Sequence, residues 1–185
     1  MAKYLVWNGY HLILIDKDET ALQTGEEEIK RNLSEEVTYD LEIFKIHMAI
    51  FDEDKIQKLL ATLEKWALIK YFINMKNVRL AKMNHKWFTE IGYKEVSQMS
   101  QENNHIVLCL LNIFLKSMVE HDKAAVINVV NSKNDDDDQL KTWDLMFYHT
   151  SRFNWEFINT INQTYPSIKT LNVITDFHEL KDAGD

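Results

Sequence analysis

Residues that build tight loops and cross-links are scarce in this sequence. It has four glycines, one proline and a single cysteine, Cys109, in 185 residues. Because one cysteine has no partner in the chain, an internal disulfide is excluded, and we expect a reducing, cytoplasmic location. The scarcity of glycine and proline predicts helices with short connections, which disfavours an active site built on long loops.

Long apolar runs and an excess of positive charge are also lacking. No run approaches the roughly 18 apolar residues that a membrane-spanning helix needs, so the sequence predicts no membrane partner. The net charge of −8 disfavours broad nucleic-acid binding, since phosphate contacts need local positive charge. The sequence does have 45% hydrophobic residues, enough for a folded core, and its length predicts one domain over residues 1–185.

The N-terminal pattern predicts a small antiparallel sheet. Two apolar runs, 4–7 and 10–15, flank Asn8-Gly9, a dipeptide that supplies the positive φ angles of a type I′ hairpin turn. Residues 37–51 fit two patterns, the alternation of a strand and the apolar stripe of a helix. Their many β-branched and aromatic residues favour a third strand beside the hairpin, and the helix stays the alternative.

The rest of the chain predicts a mostly helical body. Asp52 is a capping residue before a helical stripe, Gly92 is a C-terminal signal for the helix before it, and further helices are expected at about 100–120 and 139–164. The predicted fold class is therefore α+β, with a small N-terminal antiparallel sheet packed against a predominantly helical body. In a second interpretation, 124–175 is a βαβ unit and the chain is α/β.

The clearest pattern that could carry chemistry is the apolar run of residues 12–15, which is followed by acidic residues. Residues 16–20, Asp-Lys-Asp-Glu-Thr, follow this run and resemble the first motif, Asp-x-Asp-x-Thr, of haloacid dehalogenase-like phosphohydrolases. The resemblance implies that Asp16 is the nucleophile on phosphorus, that Asp18 is the general acid and base, and that Mg²⁺ offsets their charge. It further implies a place in the site for Thr20, Ser132 and, as a metal ligand, Asp176.

The same acidic residues also have a simpler interpretation. A polar turn after a strand needs only residues of this kind, so Asp16 and Asp18 are equally consistent with a solvated bend. The sequence has no glycine-rich phosphate loop and no zinc-ligand spacing. On this interpretation the chain has no catalytic residue, no metal ligand and no cofactor.

Two charged segments are candidate binding surfaces. The first is basic, has no acid within it and ends in an aromatic residue, a combination that can hold phosphates or stack bases and keeps nucleic acid as a candidate partner. Its candidate residues are Lys76, Arg79, Lys82 and Trp87. The second is an acidic run that could meet a basic partner, formed by Asp135, Asp136, Asp137 and Asp138.

These patterns together predict a non-catalytic protein-interaction module, acting as an inhibitor, an adaptor or a subunit of a complex. Its partner would be a protein, such as one whose basic surface holds nucleic acid, and formation of a homo-oligomer is a further expectation. The alternative function is a Mg²⁺-dependent phosphohydrolase that uses Asp16 and Asp18.

Overall fold

The computed structural model describes residues 1–31, 33, 40–48, 51–63, 69–75, 90–120, 124–131 and 142–175, with the backbone alone for 62, 63, 130, 131, 142–148, 151, 174 and 175. The chain forms two compact units, Met1–Leu60 and Ala61–Asp185.

The first unit begins with a helix at the position of the predicted hairpin. This helix, α1, spans Ala2–Trp7 and is followed by Gly9, whose φ is 83°. The Gly9 N–H donates to the Val6 carbonyl at 2.9 Å, and the Tyr10 N–H donates to the Leu5 carbonyl at 3.1 Å. These two bonds form a Schellman motif, in which a glycine with positive φ ends a helix. The predicted hairpin is therefore wrong. The sequence signal was ambiguous, because a helix end and a hairpin turn both need a residue with positive φ.

A parallel βαβ unit follows α1. β1 is Leu12–Asp16, α2 is Glu19–Arg31, β2 is Ile43–His47 and α3 is Glu53–Leu63. β1 and β2 pair in parallel, with Leu12 opposite Ile43 and Asp16 opposite His47. The described part of 37–51 thus contains a strand, but the predicted antiparallel arrangement is wrong. Parallel neighbours need a long crossover connection, and α2 lies within it.

Apolar residues of α1, β1 and α2 form the core of the first unit. Val6, Leu12 and Ile29 make a buried cluster, and Ile43 packs against it. On α2, Leu22 and Ile29 lie two turns apart and are both buried, whereas most of the residues between them are polar. This stripe explains why α2 is a helix that contacts both strands, since it has one apolar face to bury.

Two predicted helix ends differ in their outcome. Asp52 Oδ1 accepts the Lys55 N–H at 3.1 Å, which confirms Asp52 as the cap of α3. Gly92 is wrong as a C-terminal signal, because it is the N-cap of α4, Tyr93–Ser100, and its N–H donates to Glu95 Oε2 at 3.0 Å. Glycine is accepted at both ends of a helix, so its presence alone does not show which end it marks.

Three parallel strands form the sheet of the second unit. β3 is Tyr71–Asn74, β4 is Ala125–Asn131 and β5 is Lys169–Thr175, in the order β3-β4-β5. α6, Thr142–Thr164, lies between β4 and β5 in the chain and contacts both of them. This βαβ unit confirms the alternative interpretation of 124–175.

One long helical segment supplies much of the core of the second unit. α4 continues into a π-helical turn, Gln101–His105, and then into α5, Ile106–Val119. The buried side chains of α5 are Ile106, Val107, Leu110, Leu111, Phe114 and Met118. The ring of Phe114 lies 6.2 Å from that of Phe72 and joins α5 to β3. The predicted buried helix is confirmed, although its helical segment begins earlier, at Tyr93.

Every described strand pair is parallel and is covered by helices, so the predicted α+β class with its antiparallel sheet is wrong. The fold is α/β. A hairpin pairs residues close in sequence, whereas a parallel pair joins strands separated by a helix, and a local pattern does not reveal such a partner. Within the described ranges, no helix has the length and apolar character needed to cross a lipid bilayer.

Candidate functional site

The acidic turn after β1 is a helix-capping structure. Asp18 Oδ1 accepts the N–H groups of Thr20 at 2.9 Å and of Ala21 at 3.1 Å, which makes Asp18 the N-cap of α2. Asp16 Oδ1 accepts the Asp18 N–H at 2.9 Å and closes the turn before that cap. Thr20 enters this structure through its backbone amide. In the part of the chain that the structure describes, no three metal-ligating side chains come together.

The carboxyl ends of β1 and β2 bring further polar groups to the same edge. Asp16 is exposed and lies opposite His47 in the strand pairing. His47 Nε2 lies 2.9 Å from the Lys17 carbonyl oxygen, so this nitrogen carries the proton that the bond requires. Lys55 Nζ donates to the His47 carbonyl at 2.6 Å. This edge therefore combines the exposed Asp16 carboxylate with main-chain carbonyls that are fixed by hydrogen bonds from side chains.

A charge cluster holds α2 against β2. Glu26 on α2 accepts a hydrogen bond from Lys30 Nζ at 2.6 Å and pairs with Lys45 of β2. Lys45 Nζ also donates to Gln23 Oε1 at 2.6 Å. The hydrogen bonds from Lys30 and Lys45 lower the pKa of the Glu26 carboxyl below its usual value. The cluster thus fixes the helix to the strand whose carboxyl end carries the polar edge.

In the second unit, four asparagine side chains form one hydrogen-bonded ladder. Asn74, Asn128 and Asn172 are register partners on β3, β4 and β5. Asn74 Nδ2 donates to Asn128 Oδ1 at 2.9 Å, and Asn128 Nδ2 donates to Asn172 Oδ1 at 3.0 Å. The ladder ends where Asn172 Nδ2 donates to Asn159 Oδ1 of α6 at 3.2 Å. Asn74 is 4% exposed and Asn128 is 1% exposed, so these bonds satisfy amides that water does not reach.

The ladder was not predicted from the sequence, although the sequence contains a signal for it. In each of the three strands an aliphatic residue is followed by an asparagine: Ile73-Asn74, Ile127-Asn128 and Leu171-Asn172. A buried strand rarely contains a polar residue without a partner. Three such dipeptides in three apolar runs therefore indicate that the asparagines meet one another, once the strands are known to be neighbours.

A second group of buried polar residues lies on the π-helical turn and on α6, which contact each other. Its members are Glu102, Asn103, Asn104, Thr150 and Asn154. Gln98 Nε2 donates to Glu102 Oε1 at 2.7 Å. The Oδ1 atoms of Asn104 and Asn154 are buried and accept no hydrogen bond from the described residues. Because π-helical turns are frequent at functional sites, this group is a secondary candidate site.

Cys109 is a poor nucleophile in this structure. Its Sγ lies 3.6 Å from His105 Nε2, one helical turn away. Burial raises the pKa of the Cys109 thiol, so the thiolate form is scarce at neutral pH. This pair was not predicted either, although His105 and Cys109 have the i, i+4 spacing that places two side chains on one helix face.

Most of the sequence-predicted site residues lie outside the described ranges. These are Lys76, Arg79, Lys82, Trp87, Ser132, Asp135, Asp136, Asp137, Asp138 and Asp176. The two charged binding surfaces therefore stay predictions. The described members of the predicted phosphohydrolase motif, Asp16, Asp18 and Thr20, meet in the capping turn.

Comparison with known proteins gives a likeness of fold. No family model and no curated protein matches the sequence. An alcohol dehydrogenase from the archaeon Thermococcus sibiricus, complexed with 5-hydroxy-NADP, matches with a TM-score of 0.68 and 17% identity, over 92% of this chain and 67% of its own. L-sorbose reductase from Gluconobacter frateurii, complexed with NADPH and L-sorbose, matches with a TM-score of 0.67 and 8% identity, over 92% of this chain and 62% of its own. A metagenomic short-chain oxidoreductase in complex with NADP matches with a TM-score of 0.70 and 16% identity, over 94% of this chain and 74% of its own.

The fold is that of the short-chain dehydrogenases, a Rossmann-like arrangement of parallel strands and helices. The chain spans from 62% to 74% of the length of these three structures. This likeness contradicts both functions predicted from the sequence, the non-catalytic interaction module (inhibitor, adaptor or complex subunit) and the haloacid dehalogenase-like phosphohydrolase. An apolar strand followed by acidic residues occurs in many parallel α/β folds, because a helix begins there and needs a cap.

The strand pairings fit one set of positions in the dinucleotide-binding sheet. That sheet has the strand order 3-2-1-4-5-6. Within the first unit, β1 pairs with β2 as strands 2 and 3 do, and within the second unit the order β3-β4-β5 is that of strands 4-5-6. Asp16 is the last residue of β1, the strand that corresponds to strand 2. The Gly-x-Gly-x-x-Gly turn that follows strand 1 is absent from the 185 residues.

Proposed function

We propose that this chain is an oxidoreductase of the dinucleotide-binding type, and that Asp16 holds the adenosine ribose of NAD. The observation that carries the proposal is the position of Asp16, an exposed carboxylate at the carboxyl end of the strand that corresponds to strand 2. Ligands of open parallel sheets bind beyond the carboxyl ends of the strands. The neighbours with the same fold are dehydrogenases and reductases, and the three compared above are complexed with NADP, NADPH or 5-hydroxy-NADP.

The hydrogen bonds of the turn suit Asp16 to this task. The Asp18 N–H fixes Oδ1 of Asp16, which sets the orientation of the carboxylate. Within the described residues Oδ2 has no partner, and an ionised carboxylate accepts hydroxyl hydrogen bonds strongly. The nicotinamide supplies the hydride chemistry when the dinucleotide is bound, and this edge of the chain binds and orients the ribose.

The same charge predicts a preference between the two dinucleotides. A carboxylate at the ribose repels the additional 2′-phosphate of NADP, whereas it accepts the free 2′-hydroxyl of NAD. We therefore propose NAD as the cofactor, although the compared structures hold NADP or related forms. The single cysteine supports a cytoplasmic location, which is part of the same proposal.

Binding of NADH and of NADPH, measured by calorimetry, tests the proposal with two isosteric variants. Asp16→Asn keeps an oxygen for the Asp18 N–H but removes the charge, and it should weaken NADH binding about tenfold or more. Asp18→Asn is the matched control, because asparagine caps a helix as well as aspartate does, and it should leave NADH affinity unchanged.

The discrimination between dinucleotides is the second readout. The unmodified chain should bind NADH more tightly than NADPH, and Asp16→Asn should narrow that difference. Equal affinity for both dinucleotides, or an equal loss in Asp16→Asn and Asp18→Asn, would contradict the role of Asp16. Absence of dinucleotide binding would remove the proposed function.

A further inference from the structure

The dipeptide Asn8-Gly9 has a covalent chemistry that the proposed function does not use. In an Asn-Gly sequence the glycine nitrogen can attack the asparagine amide, because glycine has no side chain to hinder the approach. This is the only Asn-Gly in the 185 residues. Both residues are exposed, and a Cβ at Gly9 would meet no described atom within 4 Å, so water and base have access to the dipeptide.

The reaction replaces the amide nitrogen of the side chain with an oxygen. The Gly9 nitrogen gives its proton to base and bonds to Cγ of Asn8, the Cγ–Nδ2 bond breaks, and the amide leaves as ammonia. Water then opens the cyclic imide at one of its two carbonyls. Opening at the side-chain carbonyl gives aspartate, and opening at the main-chain carbonyl gives isoaspartate, whose main chain runs through Cβ. One water is taken up and one ammonia is released, without oxidation or reduction.

The last turn of α1 holds the two reacting groups apart. The Gly9 N–H donates to the Val6 carbonyl at 2.9 Å, so its proton is held in a hydrogen bond. Asn8 Nδ2 donates to the Tyr4 carbonyl at 2.7 Å, which turns the amide back along the helix. The ψ of Asn8 is 15°, so the nitrogens of Asn8 and Gly9 nearly eclipse each other and Cβ is turned away. Ring closure needs Cβ, and not the Asn8 nitrogen, to eclipse the Gly9 nitrogen.

The helix that imposes this geometry is short and weakly capped. α1 has six residues, no side-chain cap at Met1, no acidic residue in its first turn and no basic residue in its last turn. Helices of this length are marginal without tertiary packing. The packing of α1 depends on Val6, which is 0% exposed and lies in one cluster with Leu12 and Ile29. Local opening of such a segment costs less free energy than global unfolding, and it frees the dipeptide to react.

Either product weakens the turn that keeps the dipeptide closed. Aspartate at position 8 lacks the Nδ2 donor to the Tyr4 carbonyl, and it places a negative charge at the C-terminal end of a helix, where the helix dipole disfavours it. Isoaspartate adds one atom to the main chain before Gly9. The N–H groups of Gly9 and Tyr10 then no longer reach the Val6 and Leu5 carbonyls together, as the Schellman motif requires.

We propose that Asn8-Gly9 is a deamidation site that the Schellman motif of α1 keeps closed, and that reaction at this site opens α1 irreversibly. The extent of reaction records how often α1 has opened, and the opened helix uncovers Val6 in the core of the first unit. The reaction needs neither cofactor nor partner, so the inference is independent of the proposed function.

The rate of deamidation in the native and in the unfolded chain tests the closed state. Trypsin releases residues 4–17 as one fragment, and mass spectrometry of this fragment follows the conversion of Asn8 in the complete chain. Under native conditions the reaction should be roughly tenfold or more slower than in guanidinium at the same pH. Equal rates would overturn the closing role of the turn, and no reaction in guanidinium would overturn the site itself.

Two variants at Tyr4 separate the helix from the chemistry of the dipeptide. Tyr4→Ala and Tyr4→Gly both remove a side chain that is 67% exposed, and both leave Asn8-Gly9 intact. Because glycine is a poorer helix former than alanine, Tyr4→Gly should deamidate about fivefold faster than Tyr4→Ala under native conditions. In guanidinium the two variants should react at the same rate. Equal native rates would show that α1 does not control the reaction.

Hydrogen exchange in the product tests the irreversible opening. The deamidated chain carries one additional negative charge, so ion exchange separates it from the unmodified chain, and fragmentation of the peptide distinguishes isoaspartate from aspartate. Exchange at the Gly9 and Tyr10 amides should be roughly tenfold faster in the isoaspartyl chain. The Asn8→Asp variant, which represents the other product, should show a smaller increase. Unchanged protection of both amides in the isoaspartyl chain would overturn the opening of α1.

Discussion

The two units of the chain place their polar side chains in opposite ways. In the first unit, charged groups lie at the edge of the strands, where Asp16 and Asp18 are exposed and accept backbone N–H groups. In the second unit, neutral amides lie inside the sheet, where Asn128 is 1% exposed and bonds a register partner on each side. The strand edge of the first unit leaves charge accessible, and the sheet of the second unit joins its strands through uncharged amides.

The physical reason for this difference is the cost of desolvation. A buried charge costs far more than a buried amide whose hydrogen bonds are made. Charged groups that are to meet a ligand are therefore placed at the carboxyl ends of strands, while amides can join strands in the interior. We infer that the ladder stabilises the second unit, whereas the edge of the first unit is where the proposed contact with the ribose would form.

Breaking the ladder should have the largest effect. Asn128→Ala removes both hydrogen bonds of Asn128 in the ladder, one to the buried Asn74 and one to the half-buried Asn172, and loss of a partner inside a protein costs about 1–3 kcal/mol per group. We expect the free energy of unfolding, measured by urea denaturation, to fall by about 3 kcal/mol. The control is Asn8→Ala, since Asn8 Nδ2 bonds the Tyr4 carbonyl at 2.7 Å on the surface. It should change stability by less than about 0.5 kcal/mol, and equal losses would refute the comparison.

Removing the cap of α2 should have an intermediate effect. Asp18→Ala frees the N–H groups of Thr20 and Ala21 and should lower the free energy of unfolding by about 1 kcal/mol. Asp18→Asn should cost only a few tenths, because asparagine is an equally good cap. If the asparagine variant is as unstable as the alanine variant, the negative charge itself is what matters, and the capping interpretation fails.

The charge cluster of α2 should have the smallest effect and a distinct pH dependence. Glu26→Gln should cost below about 1 kcal/mol at pH 7, since its pairs with Lys30 and Lys45 are near the surface. The hydrogen bonds from Lys30 and Lys45 hold the pKa of the folded Glu26 carboxyl below its value in the unfolded chain, so the stabilisation is complete above the unfolded pKa and is lost as pH falls through the lowered folded pKa.

Denaturation of the Glu26→Gln variant at pH 7 and in acid checks this sign. The stability difference from the unmodified chain should close at acid pH. Glu156→Gln is the matched control, because the pair of Glu156 with Arg152 is more exposed, with 54% and 76% of the two side chains accessible. It should show almost no difference at either pH. If the stability difference between Glu26→Gln and the unmodified chain widened in acid, the cause given for the lowered pKa of Glu26 would be wrong.

Capping and apolar periodicity were readable from the sequence, and strand pairing was not. The sequence predicted Asp52 as a helix cap and the apolar run of α5 as a buried helix, and the structure has both features. The positive φ predicted for Asn8-Gly9 is found at Gly9 but not at Asn8, whose φ is −92°, because the dipeptide ends a helix and does not form a hairpin turn. The acidic pair Asp16 and Asp18 has the composition of a metal site, and only its hydrogen bonds show that it is a capping turn.

The sequence by itself determined where apolar faces form and where helices can start, because these depend on residues within one or two turns of each other. The tertiary structure decided which strands are neighbours, and with them the parallel sheets, the Asn74–Asn128–Asn172 ladder and the position of Asp16 at a strand end. Those features join residues that are tens of positions apart. Their stability comes from hydrogen bonds and burial that exist only after the crossover helices have packed.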